Sequence, residues 1–359
     1  MKKSLFLAIF AFFTVLICFG AAAAEAANEN PNENLNETMS VSISFAGDCT
    51  LGTDDRFGYW NSFPSVYDAI QEERGDASGY FFENVRHIFL ESDLTVVNLE
   101  GPLTGRTEYN DKQFVFKGPP EYAEILSEGG IGLVNLSNNH TYDYGREGYI
   151  DTLVSLDAAG VGYFGPNWQH MKDLGGVTFG FLGYNGWSDA LKGQITEDIA
   201  YIKECGATVI IVSFHWGEER ANYPNGTQKA LARHSIDQGA ALVIGHHPHV
   251  LQGIESYNGG LIVYSLANFC FGGHKNPADK DTMIFTHTFA FDRETLERRP
   301  ELDSSRVIPC SVSSVGNRND FRPTVLEGDE GERVAERLER YSESLNEANI
   351  FDTVIDIEY

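Results

Sequence analysis

The chain has 359 residues, and its 52 acidic and 26 basic side chains give a formal net charge of −26. The hydrophobic fraction of 42% is typical of a globular protein and excludes a disordered acidic chain. This charge repels nucleic acid and anionic headgroups, so we expect no nucleic-acid partner, and we expect an anionic substrate to need a bound metal ion or another local positive feature.

The N-terminus has the pattern of an export signal. Lys2 and Lys3 precede an apolar run at 5–20, which an alanine-rich segment follows. A basic start, an apolar middle and small residues before a cut predict a signal peptide at 1–27 and an extracellular or cell-surface protein. The alternative is an uncleaved membrane anchor, because the apolar run and the first alanines together could span a bilayer. Residues 28–40, rich in Asn, Glu and Pro, predict a disordered tether.

Four cysteines remain after this predicted cleavage: Cys49, Cys205, Cys270 and Cys310. Their spacing matches no zinc motif and no dense disulfide scaffold. Export would permit disulfides, but the sequence does not choose among the pairings.

Short apolar runs alternate with helical patterns along the chain. The runs predict buried strands at 41–46, 94–97, 131–136, 208–214, 241–244 and 261–266. Helical spacing of apolar residues occurs at 81–89 and 150–156, and residues 332–346 predict a charged amphipathic helix. This alternation predicts an α/β fold with a largely parallel or mixed sheet.

Polar side chains follow several of these predicted strands. Carboxylates, amides and imidazoles stand directly after them, at Asp48, Glu100, Asn138, Asn139, His140, His215, His246, His247 and His249. In open α/β sheets the ligand site lies beyond the carboxyl ends of the strands, so we expect these residues to converge. Imidazole with carboxylate and amide oxygens suits Zn, Fe or Mn, and the sequence therefore predicts a transition-metal centre.

Two local features of this cluster have alternative interpretations. His247 and His249 lie two apart on a predicted extended segment, so both are expected to point the same way, towards one metal ion or between two. His246 should then point the other way and matter less. Asp143 either belongs to the site or serves as the N-cap of the helix that follows Gly145.

Taken together, the segments resemble the CapA family of poly-γ-glutamate capsule synthesis proteins. The matching stretches include FAGD at 45–48, VVNLEGPLT at 96–104, NLSNNHTYDYG within 116–165, VSFHWGEE at 212–219, GHHPHVLQGIE at 245–255 and IVYSLANFCF at 262–271. The family usually has Gly at the position of Ala267. The resemblance covers 41–291 as a CapA-like domain, and 292–359 is expected to be a C-terminal extension that carries the amphipathic helix.

The CapA family is similar to calcineurin-like metallophosphoesterases, and this implies a four-layer α/β/β/α sandwich with a two-metal site. Two departures are that Thr50 replaces the histidine of the usual Asp-x-His motif, and that Glu100 stands where an aspartate is usual. One or two Mn, Zn or Fe ions are therefore expected, and His140 would be the catalytic acid near the leaving group. Carried over residue by residue, the implied metal ligands are Asp48, Glu100, Asn139, His215, His247 and His249.

Two functions remain open at this point. One is an exported metal-dependent hydrolase that acts on a phosphoester or an anionic polymer. The other is a non-catalytic assembly factor that keeps the site to bind polyglutamate or a membrane partner in the capsule-synthesis machinery. Because polyglutamate and the protein are both strongly acidic, an enzyme that acts at one focused site is favoured.

Overall fold

The computed structural model describes residues 38–166 and 168–358. The predicted signal peptide and residues 28–37 of the predicted tether lie outside the described residues. The strands are β1 (Thr38–Thr50), β2 (Leu94–Leu99), β3 (Leu133–Asn135), β4 (Gly162–Phe164), β5 (His170–Leu174), β6 (Val177–Gly186), β7 (Val209–Trp216), β8 (Leu242–His246), β9 (Ile254–Tyr257), β10 (Gly260–Val263), β11 (Asn268–Phe271), β12 (Asp281–Asp292), β13 (Ser304–Ser311), β14 (Thr324–Val325) and β15 (Ile355–Ile357). The α-helices are α1 (Phe63–Arg74), α2 (Arg86–Glu91), α3 (Ala123–Glu128), α4 (Gly145–Ala159), α5 (Lys192–Glu204), α6 (Gly226–Asp237) and α7 (Gly328–Ser342).

Local sequence signals set the bounds of several helices. The Ser62 hydroxyl accepts a hydrogen bond from the Ser65 amide at the start of α1, and Gly75 ends that helix with a φ of +81°. Asn225 and Gln228 form a capping box at the start of α6. These caps fix where the helices meet the loops that surround the sheets.

Among the described residues, the larger sheet has nine strands and the smaller sheet has six. In the larger sheet, β1, β2, β3 and β4 run parallel, and β12 and β13 continue it in antiparallel pairing. In the smaller sheet, β6, β7, β8 and β10 run parallel, with antiparallel strands β5 and β9 at its edges. The carboxyl ends of parallel strands in both sheets are therefore available to build a site.

The two sheets pack face to face and carry helices on their outer faces. Phe45 and Leu133 from the larger sheet share an inner apolar cluster with Ile211 from the smaller sheet. The neighbouring residues of β7, Ile210 and Val212, point to the opposite face and pack against helices α5 and α6. Helices α1 to α4 cover the outer face of the larger sheet through a third cluster. The predicted four-layer α/β/β/α sandwich is thus confirmed.

The structure places both predicted domain boundaries inside the sandwich. Residues 38–40, assigned to the tether from the sequence, begin β1 and pair with the end of β12. The expected C-terminal extension supplies β13, which pairs with β12 over its full length, and α7, which buries Val334 and Leu338 in the core between the sheets. Within the described part of the chain, no helix has the length and apolar character needed to cross a bilayer.

Candidate metal centre

Asp48 is held at the centre of the site by an irregularity in β1. The register of β1 against β2 shifts between Ala46 and Asp48. Gly47 lies in this bulge, where a Cβ atom would come within 2.1 Å of the Ala267 carbonyl oxygen, so only glycine fits. The Asp48 amide donates to the same carbonyl at 2.9 Å. The carboxylate that follows is completely buried.

Five of the predicted metal ligands converge in two groups. Glu100, His215 and His247 form one group, and Asp48, Glu100 and His249 form the other; within each group the candidate ligand atoms lie within 4.8 Å of one another. Glu100 belongs to both groups, and within the described part of the chain its buried Oε1 atom has no hydrogen-bond partner. Thr50 donates to the other oxygen, Oε2, at 3.2 Å. A carboxylate shared between two ligand groups is suited to bridge two ions.

Asn139 joins the first group through His215. The Asn139 Oδ1 atom lies 2.8 Å from His215 Nε2, and Glu100 Oε1 lies 3.5 Å from the same nitrogen. The neighbouring Asn138 holds this loop in place, since its side chain donates to the Leu99 carbonyl at 2.8 Å and accepts from the His140 amide at 3.0 Å. The loop after β3 therefore brings an amide oxygen to the same point as the carboxylate and the imidazole.

His140 has a buried carboxylate as its partner. Its Nδ1 atom lies 2.7 Å from Asp143 Oδ2, and Asp143 also accepts from the Phe116 amide at 2.8 Å and from Lys112 Nζ at 2.5 Å. Asp143 does not cap α4, because the N-cap position is Tyr144 and no side chain accepts a hydrogen bond there. The interpretation of Asp143 as an N-cap is therefore wrong.

The segment after β8 differs from the extended backbone predicted for it. The strand ends at His246, and His247 and His249 have φ values of +94° and +58°. The two imidazoles nevertheless approach each other, with ring centroids 5.6 Å apart. His246 does not point away as predicted: its Nδ1 atom lies 3.4 Å from Asp48 Oδ1. The turn after the strand, and not strand alternation, brings His247 and His249 together.

The electrostatics of the cluster favour a bound cation. Burial raises the pKa of Glu100 to about 7. The neighbouring groups therefore do not fully offset the cost of burying its negative charge. Burial also acts on Asp48, but contacts with His246 and His249 outweigh it and keep the pKa of Asp48 well below its usual value. Burial lowers the pKa of His247 to about 4, which leaves a neutral imidazole able to bind metal. Buried carboxylates, neutral imidazole and an amide oxygen form a donor set that fits divalent transition ions.

Several residues of the site were not given a role from the sequence. The Asn98 side chain donates to Asp48 Oδ1 at 2.8 Å, and Asn268 Oδ1 lies 2.8 Å from His249 Nδ1. Both asparagines stand in the motifs that carry the family resemblance, and this signal could have identified them. Trp187 contacts His247, with ring centroids 4.7 Å apart, and 47% of its surface remains exposed. No motif marked Trp187, which follows β6.

Comparisons with known proteins agree on one family. Its sequence profile, described as bacterial capsule synthesis protein PGA_cap, matches residues 42–273. The "PGA biosynthesis protein CapA" of Bacillus subtilis (strain 168) is 34% identical over 254 residues, which cover 64% of this chain and 63% of that protein. The "Capsule biosynthesis protein CapA" of Bacillus anthracis is 33% identical over 221 residues, which cover 54% of each chain.

The chain thus spans less than two thirds of the length of these curated relatives. Among solved structures, one described as a novel phosphatase from Mycoplasma pneumoniae aligns with a TM-score of 0.47 and 13% identity, covering 76% of this chain and 94% of that one. Because the family profile matches well over half of its residues, the chain belongs to the bacterial capsule synthesis protein family PGA_cap.

Proposed function

We propose that this chain is an exported metal-dependent hydrolase that acts in poly-γ-glutamate capsule synthesis. The observation that carries the proposal is the pair of buried ligand groups that share Glu100, with His140 and its carboxylate partner beside them. The relatives' names support the capsule process, and the N-terminal sequence pattern supports export to the cell surface. The membrane capsule-synthesis machinery is the partner that such a location suggests.

The chain's own residues would hold one or two ions of Mn, Zn or Fe. Asp48, Glu100 and His249 would bind one ion, and Glu100 with His215 and His247 would bind the other, assisted by Asn139. A divalent ion at such a site supplies a Lewis acid for a substrate oxygen and lowers the pKa of water. Thr50 fixes the orientation of Glu100 through its hydrogen bond, so the carboxylate that the two ligand groups share is preorganised.

His140 would donate a proton to the leaving group. Its Nδ1 atom is bonded to Asp143, which leaves Nε2 for exchange of a proton with the substrate. His140 is also close enough to influence the pKa of Glu100 and of His247. His140 would thus supply a proton donor at the edge of the ligand cluster, where a departing group would need it.

The substrate would be a phosphoester or the scissile bond of an anionic polymer. In a protein with a net charge of −26, the ion is the natural anchor for an anionic group. The competing function, a non-catalytic assembly factor that only binds polymer at this site, requires the same ligands but no proton donor. The His140–Asp143 pair is the specific feature that favours the enzyme.

The test compares wild type with Asp48→Ala, using the exposed Asp189→Ala as a matched control. Metal content is measured by elemental analysis, and hydrolysis of an aryl phosphodiester and a phosphomonoester is measured with added Mn or Zn. We expect wild type and Asp189→Ala to carry metal and to hydrolyse at least one ester, and we expect Asp48→Ala to lose both properties. Capsule complementation is measured in parallel. If wild type hydrolyses neither ester, yet Asp48→Ala still abolishes the capsule, the binding function replaces the enzyme.

A further inference from the structure

A cleft of about 780 Å³ lies at one edge of the smaller sheet, beside the metal centre. One wall is the end of β6, and the opposite walls come from the segment around Trp168 and from the outer side of α5. Strand β5 pairs with β6 only as far as Phe181, so residues 182–186 of β6 pair with β7 alone. The missing neighbour strand leaves the space that forms the cleft.

The cleft shares a wall residue, Asn185, with the surroundings of the candidate metal centre. In the register of the sheet, Asn185 lies opposite His215 of β7. The Asn185 amide donates to the carbonyl of Asn138 at 3.4 Å, within the loop that carries Asn139. Two residues further along, Trp187 contacts His247. A ligand seated in the cleft would therefore lie next to the site of the proposed chemistry.

The lining combines exposed aromatic rings with uncharged polar groups. Trp168 is 50% exposed and Tyr201 is 59% exposed, although both rings are large and apolar. Gln169 and Gln194 supply amide donors and acceptors around them. Asn185 lines the cleft, and among the described residues its buried Oδ1 atom has no hydrogen-bond partner, so the cleft wall contains an unsatisfied acceptor.

The charges of the lining exclude an anionic ligand as the natural occupant. Asp198, whose carboxylate accepts from the Tyr184 hydroxyl at 2.8 Å, supplies a negative charge. Among the described residues that line the cleft there is no Lys, Arg or His. The net charge of −26 adds to the repulsion of a polyanion. The cleft therefore suits a neutral, polar molecule with an apolar face.

We propose that this cleft binds a neutral saccharide. A pyranose ring presents an apolar face of C–H groups, which would pack on Trp168 or Tyr201, and hydroxyl groups, which would bond with Asn185 and the two glutamines. This inference goes beyond the proposed hydrolase function, because it assigns a second ligand to a different set of side chains and needs no bound metal. The saccharide would be positioned with one end towards the centre.

The first test measures binding by isothermal titration calorimetry with chitotetraose and maltotetraose as probes. The variants are Trp168→Ala and Tyr201→Ala, and the matched control is Trp60→Ala, whose side chain is 80% exposed outside the cleft. We expect at least one saccharide to bind wild type and Trp60→Ala equally, and we expect each cleft variant to bind about tenfold more weakly. Metal content should be the same in all four proteins, which separates this outcome from a failure of the metal site.

A second measurement uses the exposed thiol of Cys205, which also lines the cleft. Alkylation by iodoacetamide is located by peptide mass spectrometry. Bound saccharide is expected to slow the alkylation of Cys205 several-fold. The internal controls are three buried cysteines: Cys49, Cys270 and Cys310. Tetra-γ-glutamate is the comparison ligand. The proposal is overturned if neither saccharide binds at about 10 mM, if the cleft variants bind as well as wild type, or if tetra-γ-glutamate alone protects Cys205.

Discussion

His140 and Asp143 form a buried pair in which Nδ1 of the imidazole lies 2.7 Å from Oδ2 of the carboxylate. The pair is held from outside by the Phe116 amide and by Lys112, which both donate to Asp143. Because these contacts fix the carboxylate, the imidazole has one preferred orientation and its Nδ1 atom is engaged. Asp143 is therefore a positioning residue for the proposed proton donor, and it contacts none of the candidate metal ligands in the two groups.

Replacing Asp143 by Asn should slow hydrolysis without removing metal. Asn keeps the size of the side chain but can hold the imidazole in the wrong tautomer, so we expect kcat to fall roughly 10- to 100-fold with little change in KM. Metal content should stay at the wild-type level. The control is Asp151→Asn, which alters a surface pair with Arg106 and should leave kcat unchanged. An equal loss of metal and activity in Asp143→Asn would contradict the positioning role.

Replacing Glu100 by Gln should lower metal content more than any single histidine change. Glu100 belongs to both ligand groups and has a buried oxygen without a partner, so loss of its charge affects both ions. We expect affinity for added Mn or Zn to fall by about tenfold or more, measured by elemental analysis after dialysis against graded metal. The shorter Glu100→Asp retains the charge and should keep part of the metal. Unchanged metal content in Glu100→Gln would remove Glu100 from the site.

The sequence predicted the convergence of the site because parallel strands bring their carboxyl ends to one edge. Asp48, Glu100, His215, His247 and His249 could be placed together on that basis, and the structure brings them together. The continuous apolar run of β7 also predicted a buried strand, and the structure buries it on both faces. Local patterns were sufficient for these features because each depends on a strand and the residues directly after it.

The remaining features depend on contacts that strand periodicity does not encode. The positive φ values of His247 and His249 arise in the turn after β8, where strand alternation no longer applies. Trp187 lies in the segment directly after β6, where no motif marked it, and its contact with His247 joins segments that are far apart in sequence. The sequence predicted residues 292–359 to be an extension of the domain. The pairing of β13 with β12 depends on the order of strands in the sheet, and a single run of sequence does not show that order.

Replacing Ala267 by Gly should stabilise the protein. Ala267 has a φ of +63°, in the left-handed region that favours glycine, which accounts for the glycine usual at this position in the family. We expect the free energy of unfolding to rise by about 0.5–1 kcal/mol, measured by urea denaturation. Ala46→Gly is the control, because this buried residue lies within β1 and the same change should destabilise it. A lower urea midpoint for Ala267→Gly would show that backbone strain is not the dominant effect.

The last prediction concerns the pH dependence of stability through the contact that holds α7 to the sandwich. Arg333 donates to both oxygens of Asp281 at 2.7 Å, and Arg337 donates to Oδ2 at 2.6 Å. Burial raises the pKa of Asp281, but the hydrogen bonds from the two arginines outweigh it, and the pKa lies below its usual value. A carboxylate with a lowered pKa in the folded state binds fewer protons than in the unfolded state. Its contribution to stability is therefore complete above the unfolded pKa and is lost as the pH falls through the folded pKa.

Asp281→Asn tests this contribution directly. At pH 7 we expect a loss of about 1–3 kcal/mol in the free energy of unfolding, towards the lower value because Arg333 is half exposed and solvent screens its charge. The difference from wild type should shrink as the pH falls below the unfolded value of 3.8, where the unfolded state binds a proton first. It should be smallest below the lowered pKa of the folded state, where Asp281 is protonated in both states. Exposed Asp356→Asn is the control and should change stability little at either pH. Denaturant curves at graded pH decide the question. A difference that stays constant down to the acid limit would mean that the hydrogen-bond geometry of Asp281, and not its charge, holds α7 in place.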